Sequence, residues 1–262
     1  MRTIYDQLSK GLLEIFLRGS ARMETEREIP GFVLSADVWL EPDSAARGRW
    51  SRLGVLGRML AGGPSLLESY SRVPGGAQVR SCILKQYALD RSRAGEAERK
   101  RCARPDFAPL WLLSPGRPES LMEPLELRPM AGWPSGFWHT RPFDPLRLVI
   151  IRALPETPDT AFLRMFGRGK TFARALRELA TLPDNSWFIE PLKSLVLALG
   201  LDIPQTGLMQ NADADWRIEM EAIQRTYNEW KEDTLQEGRR EGLQEGLERG
   251  MQQGLERGVQ QG

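Results

Sequence analysis

The sequence predicts a mixed α/β fold in which helices flank a central sheet. Residues 110–113 and 146–151 are short runs of mainly apolar side chains, which is typical of strands buried on both faces. Around these runs, apolar residues recur at steps of three and four, the spacing of amphipathic helices. Strands that alternate with helices favour the α/β class. A chain of 262 residues with 41% apolar side chains is also long enough to build a large hydrophobic core.

The first sixty residues predict two helices and a hairpin. Helical spacing covers residues 3–18, and a second helical pattern, interrupted by glycines, covers residues 45–60. Two extended runs, 22–30 and 32–41, flank the turn dipeptide Pro30-Gly31. We therefore expect a β-hairpin between the two helices.

The middle of the chain predicts a central strand and the helix that follows it. Residues 65–71 form an apolar run between two Gly/Pro turns, so we expect a strand there. Residues 77–91 have helical spacing, and the charged residues 92–105 predict a connection. Residues 119–145 are rich in proline, which indicates irregular structure with short pieces of strand.

Four segments of different composition predict the organisation of the chain. Residues 1–153 contain the predicted strands and form the α/β core. Residues 154–206 change to helical spacing and form a small helical annex. The polar residues 207–215 form a linker, and residues 216–262 form a helical or frayed tail.

The tail is a repeat in which glycine recurs every four residues from Gly238 to Gly262. Each glycine costs a helix roughly 0.8–1.0 kcal/mol relative to alanine, so an isolated helical tail needs a partner or frays. Small residues at this spacing permit close approach of two helices, but the charged residues between them exclude a membrane helix. The alternatives are self-association through the tail or a solvated appendage.

The net charge of +1 hides a basic body and an acidic tail. Residues 1–214 carry 29 Lys and Arg against 24 Asp and Glu, whereas residues 215–262 carry 7 against 11. Two basic clusters in the body are suited either to neutralising the phosphates of DNA or to solvating helix faces. The candidate nucleic-acid-binding residues are Arg47, Arg49, Arg52, Arg91, Arg99, Lys100 and Arg101.

Composition excludes several classes of protein. The apolar run at residues 195–199 is far short of the roughly 20 residues that span a membrane. The two cysteines lack the spacing of a zinc site, and the single histidine, His139, excludes a histidine-rich metal cluster. Gly169-Lys170-Thr171 ends like a phosphate-binding loop, but Arg164 stands where that motif needs its first glycine. We expect a cytoplasmic protein with no membrane partner and no nucleotide cofactor.

Two carboxylates and one lysine are the candidate active-site residues. Asp37 and Glu68 each stand in an apolar run that predicts a strand. Such a carboxylate loses hydration unless it is exposed, paired or bound to a cation, so two in succession suggest one shared site. Mg²⁺ needs only one or two carboxylates together with water and phosphate oxygens. Lys85, on the predicted helix over 77–91, could bring a positive charge to the same place. Taken singly, Asp37 also fits a salt bridge at a strand end, and Glu68 an exposed strand face.

These residues and their neighbours resemble the PD-(D/E)XK nuclease superfamily. The similarity rests on Ala36-Asp37, on Leu66-Leu67-Glu68-Ser69-Tyr70-Ser71 and on Leu84-Lys85-Gln86-Tyr87-Ala88-Leu89. The chain most resembles the bacterial recombination-promoting nuclease and transposase branch, which typically opens with an Asp-x-x-x-Lys helix, matched here by Asp6 to Lys10. That branch often carries a later segment like residues 154–169 and a repetitive tail like residues 237–262.

The resemblance implies a restriction-endonuclease-like core that hydrolyses DNA phosphodiester bonds with Mg²⁺, or with Mn²⁺ in its place. Asp37 and Glu68 would hold the metal ion, and Lys85 would complete the catalytic set. The resemblance also suggests supporting residues in the neighbouring segments, namely Asp6, Lys10, Tyr70 and Gln86.

The second position after Glu68 departs from the family pattern. The family has Lys or Gln there, and this chain has Tyr70. A tyrosine cannot replace an ammonium that steadies an attacking hydroxide, so an active enzyme would need Lys85 to supply that charge from the next helix. The alternative is a catalytically inactive nuclease-fold protein that binds DNA or a protein partner.

Overall fold

The computed structural model describes residues 4–28, 35–141, 144, 146–182, 188–189, 191–195 and 214–261. Within this part of the chain, the fold is a mixed α/β arrangement of helices around a seven-stranded sheet, which confirms the predicted fold class. The hairpin turn predicted at Pro30-Gly31 lies outside the described residues. The described residues also contain no helix that is long and apolar enough to cross a membrane.

The bounds of eight α-helices and seven strands are defined in the described residues. The helices are α1 (Ile4–Leu17), α2 (Arg47–Trp50), α3 (Val55–Leu60), α4 (Gly76–Arg99), α5 (Glu119–Met122), α6 (Pro158–Arg164), α7 (Lys170–Ala180) and α8 (Ala214–Gln261). The strands are β1 (Ala21–Glu28), β2 (Ser35–Pro42), β3 (Ser65–Ser69), β4 (Leu110–Ser114), β5 (Arg128–Pro129), β6 (Phe137–His139) and β7 (Leu146–Ile150).

The strand order across the sheet is β1-β2-β3-β4-β7-β6-β5. Strands β1 and β2 pair antiparallel, as the predicted hairpin requires, and β3 pairs antiparallel with β2. Helix α4 then returns the chain so that β4 lies parallel to β3, and β7 lies parallel to β4. The short strands β6 and β5 complete the other edge in antiparallel pairing. Strands β3 and β4 therefore occupy the middle of the sheet.

Two hydrophobic clusters cover the two faces of the sheet. Side chains of a strand alternate between faces, so Leu67 and Trp111 point to one face while Leu66 and Leu112 point to the other. The first pair packs with α1, α3 and the helices from α6 onward. The second pair packs beneath α4. Every residue of β4 is buried, as its continuous apolar run predicts.

The larger cluster also joins the later helices to the sheet. Phe162 of α6 contacts Phe16 of α1 edge-on, with ring centroids 4.7 Å apart. Met220, Ile223 and Trp230 of α8 belong to the same buried cluster. The segments predicted as core, annex and start of the tail thus share one hydrophobic core.

Helix α4 is longer than its apolar spacing predicts, because it ends at Arg99 and not near residue 91. Ion pairs support the added turns. Arg93 Nη1 lies 4.0 Å from Asp90 Oδ1, and Lys100 Nζ lies 2.6 Å from Glu96 Oε1. Pairs three or four residues apart stabilise a helix whose exposed face is charged, which an apolar pattern does not reveal.

The helix predicted over residues 45–60 is divided in two at Gly54. This glycine has φ 56°, a left-handed conformation that favours glycine. A Cβ atom there would lie 2.3 Å from the carbonyl oxygen of Asp159. The break therefore lets α6 pack closely against the start of α3.

Candidate active site

Strand β3 carries Glu68 to the face of the sheet that α4 covers. Because strand side chains alternate, Glu68 shares a face with Leu66, which packs beneath α4. The Glu68 side chain is 3% exposed. A carboxylate at this depth needs partners from the protein, since little water reaches it.

Helix α4 presents Lys85 to this carboxylate. Val79, Cys82 and Leu89 are buried in the cluster between α4 and the sheet and define the inward side of the helix. Lys85 lies three residues after Cys82, close to that side. Its Nζ donates a hydrogen bond of 3.0 Å to Glu68 Oε1, and its side chain is 15% exposed. The structure thus brings together two of the three predicted catalytic residues.

The burial of this pair sets it apart from a surface salt bridge. Exposed pairs typically stabilise a protein by about 0–1 kcal/mol, whereas removal of one partner of a buried pair costs about 3–5 kcal/mol. A well-packed apolar pair would often stabilise the fold as well as the ion pair does. Because stability alone does not require these two buried charges, they are candidates for a chemical role.

Tyr70, two residues after Glu68, is engaged in a different contact. Its hydroxyl lies 2.8 Å from Cys82 Sγ, one turn of α4 before Lys85. Its ring packs against the cluster beneath α4, on the same side of the sheet as Glu68. Position 70 therefore contacts α4 with a phenol, and the ammonium near Glu68 comes from the helix.

Asp37 lies in β2, the neighbour of β3. The antiparallel register pairs Val38 with Leu67. Continued by one step, this register sets the backbone of Asp37 across from that of Glu68. The Asp37 side chain lies outside the described residues, so its distance from Glu68 stays a prediction.

The donor chemistry of Glu68 fits a hard cation. Mg²⁺ prefers carboxylate oxygens, needs only one or two protein ligands and keeps several waters. Among the side chains that the structure describes, which leave out Asp37, no group of three or more His, Cys, Asp and Glu residues could hold a metal ion. A Mg²⁺ site would therefore rest on Glu68 together with Asp37.

Helix α1, which carries the predicted supporting residues Asp6 and Lys10, contacts β3 on the other face of the sheet. Ser69 Oγ donates a hydrogen bond of 3.4 Å to Ser9 Oγ, which is buried. Ser69 faces away from Glu68 because neighbouring strand residues point to opposite faces. Lys10 is partly buried on α1, and the side chain of Asp6 lies outside the described residues.

Gln86, also predicted to support the site, connects α4 to the chain before β4. It is fully buried, and its Nε2 donates a hydrogen bond to the carbonyl oxygen of Ala108. Its Oε1 has no hydrogen-bond partner among the described residues. The observed contact supports the position of α4 over the sheet.

The first predicted DNA-binding cluster lies beyond the far end of β2. Arg49 and Arg52 are exposed and line a cavity of about 360 Å³ together with Arg18. Arg49 Nη1 donates a 3.1 Å hydrogen bond to the carbonyl oxygen of Gly19. Arg18 was not predicted, because its place at the end of α1 gives no sequence cue. Arg47, the other member of this cluster, is exposed, and its Cζ lies 6.0 Å from the centre of the Trp50 ring.

The second predicted cluster occupies the last turns of α4 and the residue after them. Its members, Arg91, Arg99, Lys100 and Arg101, are all exposed. Hydrogen bonding and attraction to Glu96 raise the pKa of the Lys100 ammonium above its ordinary value. Both clusters thus present charge to solvent, away from the Glu68 end of the sheet.

A buried ion pair that the sequence did not predict connects α8 to the end of β3. Arg168 Nε lies 2.6 Å from Glu219 Oε1, and Arg168 Nη1 donates a 3.0 Å hydrogen bond to the carbonyl oxygen of Ser71. The backbone N–H of Gly169, at the start of α7, also donates to Glu219 Oε1, at 2.7 Å. Burial raises the pKa of Glu219, against the lowering effect of these hydrogen bonds and of the Arg168 charge.

This pair explains the Gly169-Lys170-Thr171 motif in structural terms. Gly169 has φ 56°, and its N–H binds a protein carboxylate at the start of α7. A helix N-terminus favours a negative group, and Glu219 supplies one.

No protein-family model, no curated protein and no solved structure matches this chain.

Proposed function

We propose that this chain is a Mg²⁺-dependent DNA endonuclease of the recombination-promoting nuclease type, with Asp37, Glu68 and Lys85 as its catalytic residues. The observation that supports the proposal is the 3.0 Å contact between Lys85 Nζ and Glu68 Oε1. This contact puts an ammonium beside the Glu68 carboxylate, and the family pattern requires an ammonium there. The mixed sheet is also the arrangement that such a nuclease core needs.

In this proposal, Glu68 and Asp37 bind the cation, and Mn²⁺ can take its place. The cation would polarise the scissile phosphate and lower the pKa of a water molecule. The Lys85 ammonium would donate hydrogen bonds to the negative charge that develops during attack. Because Glu68 already holds that ammonium, little reorganisation is needed when the substrate arrives.

The basic clusters give DNA a way to bind. The stretch of β2 from Asp37 to Pro42 covers roughly 17 Å at about 3.3 Å per residue, so the cluster around Arg49 lies well away from Glu68. One strand of a duplex presents a phosphate about every 3.4 Å along its axis. A duplex bound at Glu68 would therefore have further phosphates between Glu68 and the cluster around Arg49, and that cluster could contact them.

Two further parts of the proposal concern location and assembly. A cytoplasmic location accords with two cysteines that are both free, one buried and one exposed. Self-association through the tail accords with the exposure of large apolar residues on α8 from Leu235 onward. These residues are Leu235, Leu243, Leu247 and Met251.

The second candidate function is a non-catalytic module with the same fold that binds DNA or a protein partner. The contact between Tyr70 and Cys82 favours it, because position 70 serves packing and has no ammonium. In that case the Lys85–Glu68 pair would only compensate a buried charge. The basic clusters would then provide binding without cleavage.

Cleavage of supercoiled plasmid by the purified full chain tests the proposal. We expect nicked product with Mg²⁺ or Mn²⁺, none with EDTA, and a loss of at least a hundredfold in Glu68→Gln. Glu123→Gln is the matched control, because Glu123 is exposed on the surface after α5. Absence of cleavage with either metal, combined with salt-sensitive DNA binding, would favour the non-catalytic candidate.

A further inference from the structure

Arg147 is a partly buried guanidinium for which the described residues provide no hydrogen-bond acceptor and no carboxylate. It lies in β7, between Trp111 of β4 and His139 of β6. Its Cζ lies 5.0 Å from the centre of the Trp111 ring. Burial lowers the pKa of this guanidinium below its ordinary value, although arginine keeps its charge in proteins.

Arg147 belongs to a row of nitrogen-bearing side chains across three strands. The register places His139 opposite Arg147, and Arg128 opposite His139. Neighbours in such a row have Cβ atoms about 4.5–5.5 Å apart, so Arg147 and His139 can contact one ligand together.

A cavity of about 330 Å³ opens beside this row. Arg147 and His139 line it, together with Arg141, Asp144 and the apolar side chains of Met130 and Trp133. Two of the charged groups that line it already have partners. Arg141 Nε donates to Glu126 Oε2 at 2.7 Å, and Asp144 Oδ1 accepts a 3.4 Å hydrogen bond from the Tyr87 hydroxyl. Arg147 thus remains as the cation that can receive a ligand.

We propose that this cavity binds a phosphate group, with Arg147 as its anchor and His139 as a second contact. The planar guanidinium offers a fork of N–H donors that matches phosphate oxygens. The volume lies within the range of about 300–1,000 Å³ for small-molecule sites and exceeds what inorganic phosphate alone requires. Met130 and Trp133 would contact the organic part of a phosphate ester.

The site is separate from the candidate active site. Trp111 and Arg147 occupy paired positions and face the α1 side of the sheet, whereas Glu68 faces α4. The inference therefore does not depend on nuclease activity. The phosphate could belong to a small phosphate ester or to a nucleic-acid strand, and the experiment distinguishes these two sources.

Inorganic phosphate and phenyl phosphate are the probes, titrated into the full chain at constant ionic strength. We expect the Tm to rise by about 5 °C or more at a hundredfold excess over Kd, with tighter binding of phenyl phosphate. The imidazole NMR signals of His139, the single histidine of the chain, should shift during the same titration. Phosphate that leaves both the Tm and these signals unchanged would overturn the proposal.

Variants locate the binding to the cavity. Arg147→Met keeps a long apolar stem and should weaken phenyl phosphate binding at least tenfold. His139→Gln, a second variant that keeps a polar side chain, should weaken it by a smaller factor. Arg225→Gln removes the same charge from an exposed position on α8 and should bind like the wild type. Equal binding by all four proteins would overturn the proposal.

Competition identifies the source of the phosphate. An oligonucleotide that displaces phenyl phosphate, and that binds less tightly to Arg147→Met, assigns the cavity to nucleic acid. An oligonucleotide that leaves phenyl phosphate bound assigns it to small phosphate esters. Both results retain the phosphate site, and neither depends on DNA cleavage.

Discussion

Lys85 Nζ lies 3.0 Å from Glu68 Oε1, although 17 residues separate the two along the chain. Helix α4 makes this contact possible because it lies across the sheet face to which β3 presents Glu68. Helix α4 therefore supplies an ammonium to Glu68 from a remote position in the sequence. Tyr70, two residues after Glu68, contacts Cys82 of the same helix.

The pair should be strongly coupled in stability, because both side chains are mostly buried. Lys85→Met leaves Glu68 without its ammonium partner and should cost about 3 kcal/mol or more in the free energy of unfolding. The double variant Lys85→Met with Glu68→Gln should lose at least about 1 kcal/mol less than the sum of the single variants. Urea unfolding of all four proteins measures this difference. Additive losses would show that the two side chains stabilise the fold independently.

A lysine at position 70 should partly replace Lys85. Tyr70 packs on the same side of the sheet as Glu68, so an ammonium there would approach the same carboxylate. If the proposed enzyme is active, Tyr70→Lys combined with Lys85→Met should cleave plasmid at least tenfold faster than Lys85→Met alone. Tyr70→Phe combined with Lys85→Met is the control and should remain as slow as Lys85→Met. No recovery in the lysine variant would mean that the place of the ammonium on α4 is essential.

Helix α8 should contribute to stability through its first half. Met220, Ile223 and Trp230 are buried in the main cluster, whereas Leu243 and Leu247 are exposed. A chain that ends at Glu237 should keep the wild-type Tm at low protein concentration. A chain that ends at residue 213 should melt at least about 5 °C lower, because it loses several buried side chains. A large drop in the Tm of the chain that ends at Glu237, measured in dilute protein, would contradict this division of the helix.

Glu219 should make stability depend on pH. Its ordinary pKa is 4.5, and burial raises that value in the folded protein. The folded state then binds the proton more tightly than the unfolded chain, so protonated Glu219 stabilises the folded state. This stabilisation is present below the ordinary pKa and is lost as the pH rises through the raised pKa.

The measurement is the difference in unfolding free energy between the wild type and Glu219→Gln. This difference should change in favour of the variant as the pH rises from about 4 to 7. Glu221→Gln, an exposed neighbour on α8, is the control and should show no such trend. A constant difference for Glu219→Gln would mean that the Arg168 charge holds the carboxyl at its ordinary pKa.

Local patterns were sufficient to predict five of the seven strands and the elements that carry Glu68 and Lys85. The run around Glu68 has the length and composition of a strand, and the run around Lys85 has helical spacing, so both elements were predicted from neighbours in the sequence. The sequence suggested that Lys85 approaches Glu68, but this contact depends on how α4 lies across the sheet. The last turns of α4 were missed because ion pairs, and not an apolar stripe, stabilise them.

Other contacts could not be predicted because they join residues that are remote in sequence. Arg168 and Glu219 are 51 residues apart and meet only when α8 packs against α7. The phosphate site proposed at Arg147 depends on strand register, which places His139 and Trp111 on either side of it. A single arginine within an apolar strand gives no indication of either neighbour.

The most direct test of the account is plasmid cleavage by the wild type and Lys85→Ala, measured with Mg²⁺ at a temperature where both proteins are folded. Loss of one preorganised charge-stabilising group typically costs about 2.7–4 kcal/mol, so we expect cleavage to fall a hundredfold or more while DNA affinity stays within about threefold. Equal cleavage by the two proteins would contradict a catalytic role for Lys85.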